Sequence, residues 1–531
     1  MTKNVRMQSV AVEDFTEHPE VKKCLEQLKT AFDTSNGGRE FIVSDVLDSE
    51  GHQYVNLVQK GGGVLGIALV GYTYILEEMG IRFIRLAGTS AGAINTALMT
   101  VIGAEPVTDP NQPKKVKGHK KNAKSTQILK AICDLNFFDL VDGHPAARLL
   151  IKNFITDKDF TGLVTKWIKR VAFALVLLPV LGFIGLGLQH YYQNVAYFTK
   201  TVFVVTGFYF MLLAIVGSYI YFLINRLKNA GFGINPGDFF YDWIKARLIE
   251  NNIKTVSDLN DAASTPVDDL YLREESSEGL NNLNGDVTFI ASEIVSQNKI
   301  EFPKMSCLFR ENIDDLQPAG FIRASMSIPV FFESYFIPGI PCEKLKEQWA
   351  NLLGENNPPS TARFVDGGVL SNFPINIFYN PKVDKPRLPS FGIDLNDEKY
   401  PGDVFGEPWK ITPPNESNMD DEGNNAESWS LTGYISRLFN TVRFYYDKDF
   451  LIKNAFYKQG IGCIPLKGYN WLNFFLDKKS KQEMFVLGAK TATAFLLEFK
   501  WSDYKDARMQ MQKDLTKAHT STSNNSTTVS K

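Results

Sequence analysis

Apolar residues are spread along this chain in two manners. Over most of its length they form short runs and helical stripes, whereas between Val171 and Leu188, and again between Thr201 and Ile224, they are almost continuous. The short runs predict strands at Tyr54 to Val58 and Ile81 to Ala87, each followed by an apolar helix, Gly66 to Met79 and Ala91 to Ile102. Strands apolar on both faces, alternating with helices, form a βαβα unit with parallel pairing. Further strands are expected at Val287 to Val295 and Ser390 to Leu395, with a helix at Gln317 to Met326 between them. The class is therefore α/β with a mainly parallel central sheet.

The two continuous stretches are each long enough to span a bilayer. The link between them, Gln189 to Lys200, holds one lysine, while Lys166, Lys169 and Arg170 precede the pair and Arg226 and Lys228 follow it. By the positive-inside rule both flanks lie in the cytoplasm, giving an integral membrane protein with two spans. Trp167, Tyr191, Tyr192 and Tyr197 sit where amphipathic rings favour the headgroup level. The alternative, a helical hairpin buried in a soluble core, normally leaves a polar stripe that is missing here. Pro179, Gly182, Gly185 and Gly187 also admit a kinked or re-entrant first segment.

Composition narrows the rest. A chain of 531 residues, 44% hydrophobic and 22% charged, is neither a single small module nor a disordered polymer. Lys+Arg 57 against Asp+Glu 59 leaves a net charge of -2, so overall charge gives no reason to expect nucleic acid as a partner. Cys24, Cys133, Cys307, Cys342 and Cys463 form no CxxC pair, so neither a zinc site nor a disulfide framework is expected. The first residues lack a signal-peptide pattern, which makes a reducing, cytoplasmic setting the expectation. Pro106 to Ser125 reads as a lysine-rich loop, either solvated or drawn to anionic lipid heads. Asn396 to Glu427 reads as a polar excursion and Ala518 to Lys531 as a Ser/Thr/Asn tail. The expected organisation is an extension over 1–50, a catalytic domain over 51–500 interrupted by the hairpin insert at 166–228, and a polar, disordered tail over 501–531.

Candidate chemistry begins at Ser90. The strand ending at Ala87 runs into Gly88-Thr89-Ser90-Ala91-Gly92 and then a helix, the strand–turn–helix setting of a nucleophile elbow. Gly88 and Gly92 let strand and helix close on each other, and the helix N-terminus adds a favourable dipole. Upstream, Gly61-Gly62-Gly63-Val64-Leu65-Gly66 presents backbone N–H groups to an anion, a phosphate or an acyl-transfer oxyanion. It also satisfies G-x-G-x-x-G, but the next strand ends in the serine elbow rather than in the acidic residue a dinucleotide site needs. Of His18, His52, His119, His144, His190 and His519, none occupies the place an α/β-hydrolase triad requires, leaving only unusual orders through His52 or His144. Asp366, at an apolar strand end before Gly367 and Gly368, is the carboxylate candidate; such an aspartate can equally be a turn residue.

Taken in order, Gly61 to Gly66, Gly88 to Gly92 and Asp366 to Gly368 resemble the three signature elements of the patatin-like phospholipase family. Arg323-Ala324-Ser325-Met326-Ser327-Ile328-Pro329-Val330-Phe331-Phe332 and Asp366 to Ile375 extend the likeness, which covers roughly residues 53 to 395, with a helical echo at Lys481 to Phe499. The resemblance implies a three-layer patatin-like α/β sandwich and a Ser-Asp dyad, needing no histidine, metal or cofactor, that hydrolyses lipid acyl esters. Carried over, Ser90 is the nucleophile, Asp366 its base, and the N–H groups of Gly62, Gly63 and Val64 the oxyanion hole. Leu65 departs from the family, which usually has Arg or Lys there. The implied function is a phospholipase or lysophospholipase held at the inner leaflet, with membrane lipids and the bilayer as its partners. The alternatives are a hydrolase of neutral glycerides or thioesters, and a catalytically silent membrane scaffold.

Overall fold

Strands that are apolar on both faces need cover on both sides, and they form the parallel centre of the sheet. The computed structural model describes residues 11–102, 105–109, 112–120, 123–144, 160–189, 191–192, 195–229, 231–274, 279–280, 283–396 and 431–526. Ten strands make the main sheet: β1 (Val46–Leu47), β2 (Gln53–Gln59), β3 (Ile81–Thr89), β4 (Tyr271–Leu272), β5 (Asp286–Glu293), β6 (Asn298–Phe302), β7 (Tyr335–Pro338), β8 (Thr361–Asp366), β9 (Ser390–Asn396) and β10 (Ile461–Pro465). β10, β9, β2, β3 and β5 lie side by side and run parallel. β8 then pairs antiparallel with β5, and β7 with β8, while β6 also pairs antiparallel with β5. The expectation of parallel pairing thus holds for the centre, and the strand that ends in Asp366 runs against it.

The helices among the described residues include α1 (Pro19–Ala31), α2 (Gly66–Glu78), α3 (Ala91–Val101), α4 (Phe160–Gln189), α5 (Val195–Asn229), α6 (Pro318–Ser325), α7 (Leu431–Lys453), α8 (Lys478–Glu498) and α9 (Trp501–Ser526). α2 is buried along nearly its whole length, which explains an apolar sequence without a polar stripe. It crosses α8 at Gly71 and Gly488, where a Cβ on either residue would strike a carbonyl oxygen of the other helix, Phe485 or Ala68.

Two expectations are corrected. The lysine-rich segment after α3 is a hairpin, Glu105–Asp109 paired antiparallel with Gln112–Lys120, because backbone pairing does not require the apolar alternation on which strand prediction relies. The tail expected from 501 is helical through Ser526. Its first turns are buried through Trp501, Tyr504, Lys505 and Arg508. Lys505 reaches Asp45 and Glu274, and Arg508 donates to the carbonyls of Val383 and Asn380, so polar residues carry the packing. The polar excursion over 397–427 and the last five positions, 527–531, lie outside the described residues.

The chain divides into two compact units. One comprises 1–140, 237–328 and 334–531 and holds the main sheet; the other comprises 141–236 and 329–333. In the second unit α4 and α5 pack on each other, with Gly182 against the Phe203 ring and Gly185 against Thr199, while Tyr209 donates to the Val171 carbonyl at 2.8 Å. Pro179 lies inside α4. Lys169–Gln189 and Val195–Lys228 are long and apolar enough to cross a membrane. Their side chains are largely exposed, as at Phe183 and Val204.

Candidate active site

At Ser90 the backbone takes φ 54 and ψ -121, a conformation a side-chain-bearing residue adopts only when its surroundings enforce it. The enforcement comes from close approach: a Cβ at Gly88 would run into Gly92, and one at Gly92 into the carbonyl of Gln59. Ser90 stands at the N-terminus of α3, yet its side chain makes no capping bond. Its backbone N–H donates to Oγ of Ser325, the last residue of α6, at 3.0 Å. The hydroxyl is therefore not committed to the helix end, and Ser90 is buried with 4% exposure.

The register of β5 brings Asp366 to this elbow. The first half of β5 pairs with β3, Thr89 lying beside Ile290, and the second half pairs with β8, Ala291 lying beside Asp366. Because β8 descends against the upper half of β5, its C-terminal residue arrives next to the level where β3 ends. Asp366 Oδ1 accepts from Gly368 N–H at 2.7 Å, and Oδ2 is buried without a hydrogen-bond partner among the described residues. Desolvation pushes the carboxyl up to about 6, opposed by the neighbouring Ser90 hydroxyl, the Gly368 N–H and the charge of Arg443, in that order. Arg443, on α7, also donates from Nε to the Gly368 carbonyl at 2.7 Å. The serine hydroxyl thus faces the carboxylate without closing a full hydrogen bond on Oδ2, an arrangement that binding of a substrate can tighten.

The glycine loop lies against the same elbow: a Cβ on Gly61 would fall 2.9 Å from Ser90 Cβ. Gly61 N–H donates to the Asn372 carbonyl at 3.0 Å, and Asn372 Nδ2 returns a bond to Gly61 O at 3.2 Å. Gly63 has φ 55, and a side chain there would meet the carbonyl of Trp471. That carbonyl accepts the Val64 N–H at 3.1 Å, so Val64, expected in the oxyanion hole, is already engaged. The N–H groups of Gly62 and Gly63 have no partner among the described residues. Lys60, just before the loop, is buried and donates from Nζ to Asp394 Oδ1 at 2.7 Å and to the Leu395 carbonyl at 3.0 Å.

His52, one of the two histidines left open by chain order, is held by Asp48 at 3.0 Å and by Arg82 at 3.1 Å. It precedes β2, at the N-terminal end of the parallel strands, whereas Ser90 follows the C-terminal end of β3, so it cannot serve as the base. His144 belongs to the second unit. Among the described residues no group of three or more His, Cys, Asp or Glu is placed to hold a metal ion. Ser325 and Asn372 fall inside recognisable motifs but have no role legible from spacing. Lys60, Arg443 and Trp471 reach the site only through tertiary contacts.

The sequence profile of the patatin-like phospholipase family matches residues 57–108 and 208–379, which include the glycine loop, Ser90 and Asp366. The chain carries a patatin-like phospholipase domain. The profile breaks over 109–207, where the first of the two apolar helices lies. A patatin-like domain makes the chain a lipid acyl hydrolase in general class. The chain is similar to the uncharacterized protein YqhO of Bacillus subtilis (strain 168), 24% identical over 446 residues, covering 84% of this chain and 99% of that protein. It is also similar to the crystal structure of VipD from Legionella pneumophila, at TM-score 0.33 and 12% identity, over 86% of this chain and 70% of that one. Leu65, where other patatin-like chains usually carry Arg or Lys, is fully buried. The cation that ties this glycine loop to the sheet is Lys60.

Proposed function

We propose that the protein is a membrane-anchored serine acyl hydrolase that releases fatty acids from phospholipids or lysophospholipids. Ser90 is the nucleophile, Asp366 its base, and the N–H groups of Gly62 and Gly63 form the oxyanion hole, joined by Val64 once its bond to Trp471 opens. The observation that carries this reading is a serine on a positive-φ elbow facing a buried aspartate beside two uncommitted backbone donors.

Asp366 takes the hydroxyl proton as Ser90 Oγ bonds to the ester carbonyl carbon, and the glycine loop holds the oxyanion. Collapse breaks the ester C–O bond, and the leaving alcohol receives the proton from Asp366. Water then adds to the acyl-serine, again giving its proton to Asp366, and the fatty acid departs as Ser90 recovers its hydrogen. An aspartate near 6 is a better base than one near 3.8. Positioning and the oxyanion hole supply most of the remaining acceleration.

The catalytic domain covers about residues 51–500 together with the first turns of α9 packed on it, with the two apolar helices anchoring it to the cytoplasmic face of the bilayer. Ser90 precedes the helices and Asp366 follows them, so an even number of crossings is needed for the two to meet. The test is fatty-acid release from mixed phospholipid vesicles by detergent-extracted protein. Release by wild type and its loss in Ser90→Ala and in Asp366→Ala, both still folded, is the expected result; release that persists in Ser90→Ala refutes the assignment. A panel adding neutral glycerides and thioesters distinguishes those substrates, and a reporter inserted after Tyr192 that proves cytosolic refutes the two-span anchor.

A further inference from the structure

α7 is an amphipathic helix whose two faces have different neighbours. Phe444, Asp447 and Leu451 are buried. Asp447 accepts from Ser371 Oγ at 2.7 Å and from Phe373 N–H at 2.9 Å, and Arg443 holds Gly368, so this face is fixed to the loop that follows Asp366. The opposite face carries Tyr434, Leu438, Phe439, Val442, Tyr445 and Ile452, all exposed, with Val442 at 71%, Tyr445 at 68% and Ile452 at 73%. At 3.6 residues per turn these side chains fall within an arc of roughly 140°, which is apolar from Tyr434 to Tyr446 and near its C-terminal end also holds Asp449 and its ion-pair partner Lys453. Arg437 and Lys448 border the arc on one side, and on the other Lys299 of β6 lies over the Tyr446 ring at 5.0 Å.

We infer that this face of α7 lies on the surface of an anionic phospholipid bilayer and seats the dyad at the lipid–water boundary. The observations favour lipid over a protein partner. From Tyr434 to Tyr446 an apolar, aromatic arc bordered by Arg437 and Lys448 on one edge and Lys299 on the other matches hydrocarbon below and acidic headgroups at the level of the borders, while the Asp449–Lys453 pair marks the end that leaves the lipid. A single helix turn then connects the bilayer to the Gly368 carbonyl and Asp366, which shortens the path of an acyl ester to Ser90. The inference rests on the lipid-hydrolase reading, whose own failure is separable in the test.

The full chain, carrying a photoreactive benzophenone amino acid in place of Tyr445, is reconstituted into phosphatidylcholine–phosphatidylglycerol vesicles and irradiated. A phospholipid adduct at position 445 is expected. An adduct only to protein, whether a second copy or another chain, overturns the inference, as does no lipid adduct at all. In parallel, the combined variant Val442→Ser, Tyr445→Ser, Ile452→Ser is compared with wild type on a soluble short-chain ester and on vesicle phospholipid. Vesicle hydrolysis is expected to fall about tenfold or more while soluble-ester hydrolysis stays within about twofold. Equal loss on both substrates, or no loss on vesicles, overturns it. Wild type inactive on the soluble ester counts against the catalytic reading, and the photoadduct still decides the surface.

Discussion

Burial of Asp366, the proposed base, sets catalysis against stability in a way that one substitution can measure. Its pKa rises from an ordinary 3.8 to about 6 because desolvation outweighs the Ser90 hydroxyl, the Gly368 N–H and Arg443. A group whose folded pKa is raised contributes stability that is present below pH 3.8 and lost as pH rises through about 6. At about 1.4 kcal/mol per pH unit the elevation corresponds to about 3 kcal/mol withheld from the folded state at neutral pH. Asp366→Asn keeps the acceptor for Gly368 N–H and places a neutral amide at the orphaned Oδ2 position, where the Ser90 hydroxyl can accept from it. The variant is therefore inactive and, at pH 8, more stable than wild type by up to about 3 kcal/mol. The assay is thermal unfolding of both proteins in one detergent, from pH 4 to pH 8. Asp447, also pushed up to about 6 by burial, is present in both, so the difference between them isolates Asp366. The stability gap should close as pH falls from about 6 toward 4. A gap independent of pH, or an Asn variant less stable at pH 8, refutes the desolvation argument.

Further outcomes follow from the same geometry. The kcat/KM for a soluble ester should climb through about pH 6 as Asp366 ionises, and Arg443→Met, which removes the nearby cation, should move that limb to higher pH; an unmoved limb refutes the electrostatic role. Gly63→Ala forces a side chain onto φ 55 and into the Trp471 carbonyl, and should cost about a hundredfold in kcat with folding retained, as circular dichroism can check. Lys60→Met removes the cation paired with buried Asp394 and should destabilise the fold by about 3–5 kcal/mol, measured by denaturant unfolding. Ser90→Ala should abolish covalent labelling by a fluorophosphonate, and labelling that persists locates the nucleophile elsewhere.

The parts of the site that sequence makes legible are those whose geometry is local. Ser90 sits on its elbow because the glycines that permit the turn are its own neighbours, and the same holds for Asp366 with Gly367 and Gly368. The family resemblance assigns the Val64 N–H to the oxyanion hole, but it is claimed by Trp471, which no local pattern connects to it. Lys60 and Arg443 were missed for the same reason: a buried ion pair to Asp394 and a bond to Gly368 depend on which strands and helices become neighbours. The direction of β8 was illegible because alternation of apolar residues reports burial and not orientation. At α9, polar composition pointed to disorder, whereas Lys505 and Arg508 are buried by specific partners.

The division of β5 between β3 and β8 has a consequence for biosynthesis. Ser90 leaves the ribosome before the two apolar helices, and Asp366 emerges only after both. Arg443 and the Trp471 loop follow later still. During translation the serine elbow is thus formed without its proposed base, its fixed glycine loop or its finished sheet. Pairing over such long sequence separations is slow, so hydrolytic capacity appears only after the last third of the polypeptide has folded back onto the first. Under the proposed dyad and anchor, a chain stalled or cleaved before α7 carries an inert serine, and a membrane that held it would be spared its chemistry.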